Sequence, residues 1–417
     1  FINDFPDWES SDIVFLSVNE NKGSSIIRNE DFDHFNIRKK LYNFNWEGSL
    51  KISDLGILES GAELKDTYAA IKEITFEVQK KGKLLIILGG SQDLTFPNYS
   101  GYEKLELPVN LTCIDNRFDV ILNEESEISS DNFINHLLLH KSNLLFNFSI
   151  LGCQQFYISS DDLRFFDDLF FDYIRLGELQ GSIEKSEPIL RNTDILSVDL
   201  SSLRNSEFSS AQSKHPNGFF GNEMCQMIKY AGLSDKISSV GFYNLKTGEL
   251  KNVDSELVAQ LVFFLILGFS ERKKDYPIGS KKDLIKYSVY HEDTNHNLIF
   301  HKSIKSNRWW LEVPYPPTKD FKFENWQPKR IFTALTGNRA IHNTALISEL
   351  IYTGLDAHGE YSYNLNGDLT PKDYDNFRII DKCISIIIIN IKNEYKSILQ
   401  NNELSTWVQQ YGSNDVE

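Results

Sequence analysis

Short apolar runs and segments of helical periodicity alternate over residues 12–270 of the chain. A short apolar run bounded by turn signals is typical of a buried strand, and apolar positions repeating every three or four residues are typical of an amphipathic helix. Strands are predicted at residues 13–18, 84–88, 111–114, 144–152, 195–200 and 238–245, and helices at residues 64–81, 161–171, 221–231 and 254–269. This alternation predicts an α/β domain over residues 1–272, with a parallel sheet covered by helices on both faces in three layers.

The pattern changes after residue 272, where apolar and polar residues alternate singly. Residues 284–290 and 298–302 follow this period of two on either side of a turn-forming DTN segment. We therefore predict a β-hairpin extension over residues 273–318. The adjacent tryptophans at 309–310 are interpreted either as an exposed anchor for a partner or as packing of the hairpin.

The last part of the chain is predicted to be helical. Residues 319–330 have the composition of a linker. Beyond it, Thr370 followed by Pro371 is an N-cap signal for a long helix. We assign residues 331–417 to a helical C-terminal module.

Polar residues follow directly after three of the predicted strands. The segments are residues 89–93 (GGSQD), 115–119 (DNRFD) and 197–201 (SVDLS). Ligands bind at the carboxyl ends of parallel strands in open α/β sheets, where neighbouring strand ends share one edge. We expect the three segments to line one pocket.

Charge and cysteine spacing narrow the classes of partner and location. The chain has 43 Lys and Arg against 59 Asp and Glu, a net charge of −16, which argues against binding nucleic acid or anionic membranes. The longest apolar stretch, residues 257–269, is shorter than the roughly 20 residues that span a bilayer, so we predict a buried core helix and no membrane insertion. The four cysteines show no metal or disulfide spacing, which is typical of a reducing compartment and predicts a cytoplasmic protein.

The three polar segments, in this order and at this spacing, resemble the metal-ligand motifs of the ureohydrolase family, which includes arginase, agmatinase and formimidoylglutamase. The family motifs are Gly-Gly-Asp-His, Asp-Ala-His-x-Asp and Ser-x-Asp-x-Asp, and the resemblance covers residues 12–272. It implies an arginase-like fold. In family enzymes these motifs hold two manganese ions, which generate a hydroxide that attacks a guanidino or formimino carbon.

Three of the six metal-ligand positions in these motifs carry a different residue in this chain. The resemblance places Gln92 at the first family histidine, Arg117 at the second and Ser201 at the last aspartate. A guanidinium stays protonated and has no lone pair to donate to a metal. We therefore expect no catalytic residue and no bound metal, as in a pseudoenzyme branch of this family.

Three family carboxylates are retained as Asp115, Asp119 and Asp199. Together with Gln92 they form an oxygen-rich set, which leaves a single manganese or magnesium ion as the alternative to no cofactor. One hard ion would not restore the two-metal mechanism.

We predict that Arg117 replaces the missing ions by bridging two of the retained carboxylates through charge-assisted hydrogen bonds. If the cluster is buried, Arg117→Ala should lower the free energy of unfolding by about 3–5 kcal/mol. Chemical denaturation measures this difference, and unchanged stability would contradict the bridge.

Other catalytic parts of the family also differ. The resemblance implies a histidine in the loop after the second motif, but residues 124–135 contain none. His136 and His140 follow in a predicted helix, where a core or surface role is expected. The substrate-side glutamate of the family falls at Phe242.

Two further patterns are interpreted without a functional role. Residues 356–360 (DAHGE) imitate the second family motif, but they follow a helical stretch rather than a buried strand. His291, His296 and His301 flank the hairpin turn, and we expect them to be solvated.

The sequence favours a non-catalytic scaffold or binding protein over an enzyme. One alternative is a divergent hydrolase of formimino or guanidino compounds. The other is a small-molecule sensor, in which the retained carboxylates bind a cationic ligand once Arg117 swings away. The resemblance implies a protein partner, with secretion- or gliding-related proteins as one class, and assembly into a homo-oligomer.

Overall fold

The computed structural model describes the part of the chain that carries the predicted pocket. The described residues are 6–24, 34–105, 109–121, 127–140, 144–169, 171–245, 251–275, 281–291, 296–314 and 330–334. The chain separates into two compact units, Phe1–Gly279 and Ser280–Glu417.

Eight strands form a single parallel sheet in the first unit. They are β1 (Ile13–Asn19), β2 (Ile52–Glu59), β3 (Leu84–Leu88), β4 (Val109–Ile114), β5 (Leu145–Cys153), β6 (Asp172–Arg175), β7 (Ile195–Asp199) and β8 (Ser239–Tyr243). Their order across the sheet is β2-β1-β3-β8-β7-β4-β5-β6, and every neighbouring pair is parallel. The sequence did not predict β2 and β6. They are the two edge strands, and neither is apolar enough to stand out as a buried run.

Helices cover both faces of this sheet. They are α1 (His34–Leu41), α2 (Leu64–Lys80), α3 (Thr95–Ser100), α4 (Phe133–Leu138), α5 (Ser160–Asp168), α6 (Leu176–Gly181), α7 (Glu187–Asn192), α8 (Gly221–Gly232) and α9 (Asn252–Ser270). Alternate strand residues point to opposite layers. In β1, Ile13 and Phe15 join the apolar cluster beneath α1, α8 and α9, whereas Val14 and Leu16 join the cluster beneath α2. The predicted three-layer α/β architecture is confirmed.

Helix α9 is the predicted core helix. By length and composition it is the one described helix that could cross a membrane, but half of its most apolar window (50%) is buried, and a core helix passes the same test. It packs against α1 and α8. Asp254 lies in the first turn of α9, where it accepts hydrogen bonds from the Ser209 and Ser210 hydroxyls.

Helices α8 and α9 meet through their backbones at two glycines. A Cβ at Gly268 would lie 2.4 Å from the carbonyl oxygen of Lys229, and a Cβ at Gly232 would lie 2.4 Å from that of Leu265. Gly232 is the last residue of α8, and the close approach of α9 is what requires a glycine there.

The second unit contains a four-stranded antiparallel sheet. Its strands are β9 (Leu284–His291), β10 (His296–Ser303), β11 (Trp309–Pro314) and β12 (Arg330–Ala334), in the order β12-β11-β10-β9. The predicted hairpin is confirmed, because β9 and β10 pair antiparallel with His291 opposite His296. Residues 331–334 were predicted to begin a helical module but belong to β12. Residues 315–318 of the predicted hairpin extension, 319–329 of the predicted linker and 335–417 of the predicted module lie outside the described residues.

Several side chains of this second sheet are buried. Trp309 and Trp310 are each 1% exposed, and the ring of Trp309 stacks on Tyr287 with centroids 5.1 Å apart. Neither tryptophan is therefore an exposed anchor. His301, which we expected to be solvated, is also buried.

The contact between α8 and α9 predicts a strong effect of one methyl group. Gly268→Ala should lower the free energy of unfolding by about 1–3 kcal/mol, because the new Cβ meets backbone atoms that cannot rotate away. Gly177→Ala in α6 is the matched control. Its Cβ meets no atom within 4 Å, so it should raise stability by about 0.5–1 kcal/mol. Urea denaturation measures both, and equal effects would contradict the close packing.

Candidate functional site

Four neighbouring strands, β3, β8, β7 and β4, end at one cluster of buried polar side chains. The sheet order places these strand ends side by side, as the sequence predicted for three of them. The predicted site residues with polar side chains exposed by no more than 5% are Gln92, Asp115, Asp119, Asp199 and Ser201. The structure therefore brings five of the seven predicted residues into the buried interior at this edge of the sheet. Arg117 and Phe242 differ from them.

Two glycines turn the chain at the end of β3. Gly89 and Gly90 have φ angles of 97° and 79°, a left-handed region in which residues with a Cβ are strained. A Cβ at Gly90 would also lie 2.8 Å from the carbonyl oxygen of Glu20. The turn directs Gln92 into the cluster, where its backbone N–H donates to Asn244 Oδ1 at 3.1 Å.

Asn244 connects three of the strand ends, and the sequence did not predict it. It follows β8 with φ at 60°, and its backbone N–H donates to the carbonyl oxygen of Gly90 at 2.9 Å. Its side-chain Nδ2 donates to Gln92 Oε1 at 3.4 Å, and its side chain also hydrogen-bonds to Asp199. Asparagine adopts left-handed geometry more readily than most residues, so an Asn directly after a buried strand was the available signal.

The three retained carboxylates lie close together and away from water. Burial is the main cause that raises the pKa of Asp115, Asp119 and Asp199, and it raises that of Asp199 to about 8. Repulsion from Asp115 raises the pKa of both other acids further. A hydrogen bond links Asp115 and Asp119, and the nearby Arg117 charge acts against burial by lowering the pKa of both acids.

Backbone N–H groups hold two of these carboxylates in place. Asp115 Oδ1 accepts the N–H of Arg117 at 3.2 Å, and Asp199 Oδ1 accepts the N–H of Ser201 at 2.7 Å. Each bond closes a short turn directly after its strand. Local backbone geometry thus fixes these two carboxylates without a bound ligand.

The predicted bridge by Arg117 is not observed. Its Nε donates to Asn116 Oδ1 at 3.2 Å, and its guanidinium lies over the ring of Tyr157, 5.2 Å from the ring centroid. It forms no ion pair with Asp115, Asp119 or Asp199, all of which the structure describes. Arg117 is half-buried. The loss of about 3–5 kcal/mol that we expected for Arg117→Ala therefore no longer applies, since it required a buried ion pair.

Several predicted residues have partners outside the carboxylate cluster. Gln92 Nε2 donates to Ser197 Oγ at 3.4 Å, and Ser201 Oγ accepts the backbone N–H of Ser213 at 3.4 Å. Phe242 is fully buried in the apolar cluster between the sheet and helices α8 and α9. The residue that reaches the polar cluster is Asn244, which lies two positions later and directly follows the strand.

Three other acids and histidines near these strands point elsewhere. Asp93 turns to the opposite side, where it accepts a hydrogen bond from the Tyr68 hydroxyl, and burial raises its pKa to about 6. The rings of His136 and His140 pack against the edge of Phe96. These contacts place both histidines against Phe96 rather than among the carboxylates.

The residues present do not fit a pair of divalent ions. Within the described part of the chain, no group of three or more His, Cys, Asp or Glu side chains has an arrangement that holds a metal. Transition-metal pairs of this kind use nitrogen ligands with carboxylates. Here the two histidine positions carry an amide that bonds Asn244 and a guanidinium that faces Tyr157.

The eight-stranded parallel sheet, its strand order and the polar cluster at the central strand ends define a ureohydrolase fold. Formiminoglutamase from Trypanosoma cruzi with Mn²⁺ has a TM-score of 0.59 and 18% identity over 64% of this chain and 97% of that one. Formimidoylglutamase from Bacillus subtilis has a TM-score of 0.56 and 17% identity, over 63% and 88%. Agmatine ureohydrolase from Thermoplasma volcanium has a TM-score of 0.54 and 16% identity, over 64% and 92%.

These similarities establish the fold, and sequence comparison adds nothing to them. No family model matches the sequence, and no curated protein matches it. The predicted ureohydrolase fold is confirmed by structure alone.

The buried acids predict that stability falls as the pH rises. An aspartate whose folded-state pKa is above the unfolded value of about 3.9 stabilises the fold at low pH, and that stability is lost as the pH rises through the folded-state pKa. For Asp199 this pKa is about 8. Chelator-treated protein should therefore lose up to about 2–3 kcal/mol of unfolding free energy from this group between pH 6 and pH 8.

Asp199→Asn should flatten this pH dependence, because the amide stays neutral at both pH values. Asp161→Asn is the matched control, since Asp161 is an exposed residue that pairs with Arg164 on the surface of α5. Urea denaturation at pH 6 and pH 8 measures the slopes. Identical slopes for the wild type and Asp199→Asn would contradict the raised pKa.

Proposed function

We propose that this chain is a non-catalytic binding protein built on the ureohydrolase fold. The observation that carries the proposal is that each of the three changed metal-ligand positions is engaged within the protein itself. Gln92 bonds Asn244, Arg117 bonds Asn116, and Ser201 accepts a backbone N–H from the loop after β7. Hydrolysis by a metal-activated hydroxide needs these positions as ligands.

The additional unit supports a role in binding. Roughly a third of the chain has no counterpart in the structurally similar hydrolases, whereas those proteins are covered almost completely. The second unit contains an antiparallel sheet that the hydrolase fold does not include. A protein partner, a homo-oligomeric state and a cytoplasmic location form part of the proposal.

Binding of a small molecule is a second candidate function. This function requires that Arg117 does not bridge the carboxylates, and the position of its guanidinium over Tyr157 favours it. The pKa values of the three buried acids are raised, so their charged forms are disfavoured. A ligand that brings a positive charge or hydrogen-bond donors would stabilise these charged forms.

Metal content and hydrolysis test the proposal together. Protein expressed with added manganese and purified without chelator should contain far less than one manganese per chain. It should not hydrolyse formiminoglutamate, agmatine or arginine. Elemental analysis and product assays measure these quantities. About two manganese ions per chain, with turnover that depends on Asp115 and Asp199, would support the divergent hydrolase instead.

A variant that restores the family ligands is the positive control. The triple change Gln92→His, Arg117→His and Ser201→Asp supplies two nitrogens and a carboxylate at the strand ends. It should bind manganese under the same conditions, because the retained aspartates are already fixed by backbone hydrogen bonds. Manganese in the wild type at the level of this variant would overturn the proposal.

A further inference from the structure

A cation, a tyrosine and a buried histidine lie together beside the carboxylate cluster. The guanidinium of Arg117 lies over the ring of Tyr157, whose hydroxyl is 2.6 Å from Nδ1 of His215. The Tyr157 and His215 rings meet edge to face with centroids 5.1 Å apart. Two potential donors to an anion therefore lie against one aromatic side chain.

His215 presents a nitrogen that the protein does not satisfy. The side chain is 9% exposed, and within the described residues Nε2 has no hydrogen-bond partner although it is buried. Burial and the nearby Arg117 charge lower the pKa of His215, so the ring is neutral. When Tyr157 donates to Nδ1, the proton of the neutral ring lies on Nε2. A buried N–H without an acceptor is unfavourable, and a ligand oxygen would satisfy it.

The guanidinium of Arg117 has hydrogen-bond donors that no described residue accepts. Its side chain makes one hydrogen bond, from Nε, so among the described residues its two terminal nitrogens donate to no other group. A guanidinium presents these nitrogens as a planar fork that matches the oxygens of a carboxylate or a phosphate. Cation–aromatic contact with Tyr157 holds this fork in orientation.

Neighbouring loops add positive charge to this side of the sheet. Arg175 ends β6 and donates to Gln155 at 3.4 Å, two residues before Tyr157. Lys214 is exposed and directly precedes His215. On a chain of net charge −16, cations grouped near an unsatisfied N–H favour an anionic ligand.

We infer that Arg117, Tyr157 and His215 form a binding site for a small oxyanion, carried by a phosphate or a carboxylate. Arg117 supplies two parallel N–H donors, His215 supplies Nε2–H, and Tyr157 positions both. The inference rests on the proposed binding function and names a ligand class for the same end of the sheet.

Calorimetric titration with inorganic phosphate and with acetate, in chloride buffer of constant ionic strength, tests the site. The wild type should bind at least one of them saturably, and the tighter of the two identifies the source of the oxyanion. Arg117→Gln and, independently, His215→Gln should weaken binding by about 10- to 100-fold. Arg117→Lys should retain part of the affinity, because an ammonium keeps the charge but loses the fork.

Arg164→Gln is the control, since Arg164 is exposed on α5 and pairs only with Asp161. Its binding should equal that of the wild type, and melting temperatures confirm that each variant is folded. No saturable binding by the wild type, or equal affinity in Arg117→Gln, would overturn the site.

Metal content, measured on the same preparations, separates this inference from the proposed function. Anion binding that disappears after chelator treatment would assign the anion to a bound metal and overturn the site. Manganese in the protein with anion binding unchanged by chelation would overturn the proposed function and support the site.

Discussion

The four central strands of the sheet are buried on both faces, and this constraint determines where polar chemistry can occur. Every residue of β3, β4, β7 and β8 is buried. A polar side chain within these strands must find a partner in the adjacent layer, as Ser197 does with Thr95 at 2.7 Å. Larger polar groups lie at the strand ends: Asn110 at the start of β4 bonds Asp194, and at the carboxyl ends loops supply backbone donors. The network from Gln92 through Asn244 to Asp199 is the result.

Burial and one nearby cation act in opposite directions on the clustered acids. Burial raises the pKa of Asp115, Asp119 and Asp199, and repulsion from Asp115 raises that of the other two further. The guanidinium of Arg117 lies over Tyr157 and forms no ion pair with the acids, yet its charge lowers the pKa of Asp115 and Asp119. The charge of this cluster therefore depends on burial and on a cation at a distance rather than on a buried ion pair.

The sequence predicted the layers, the central strands and the position of the polar cluster, because long apolar runs and strand-end motifs have strong local signals. It missed the edge strands β2 and β6, whose mixed burial leaves no apolar run. It assigned Phe242 to the site, but Phe242 lies within the strand and packs in the apolar cluster, whereas Asn244, just past the end of β8, makes the polar contacts. The direction of the Arg117 side chain depends on Tyr157, forty residues away along the chain, and no local pattern contains that contact.

The placement of β8 also has a consequence for folding. Ser239 pairs with Leu85 on one side and with Ile195 on the other, so the last strand of the sheet to be synthesised lies at its centre. Until it inserts, β3 and β7 each present an unpaired apolar edge, the kind of edge that recruits other chains. Pairing over such sequence distances is slow. A nascent chain that stalls before residue 239 would expose a split hydrophobic sheet, and we expect chaperone dependence to be greatest at that stage of synthesis.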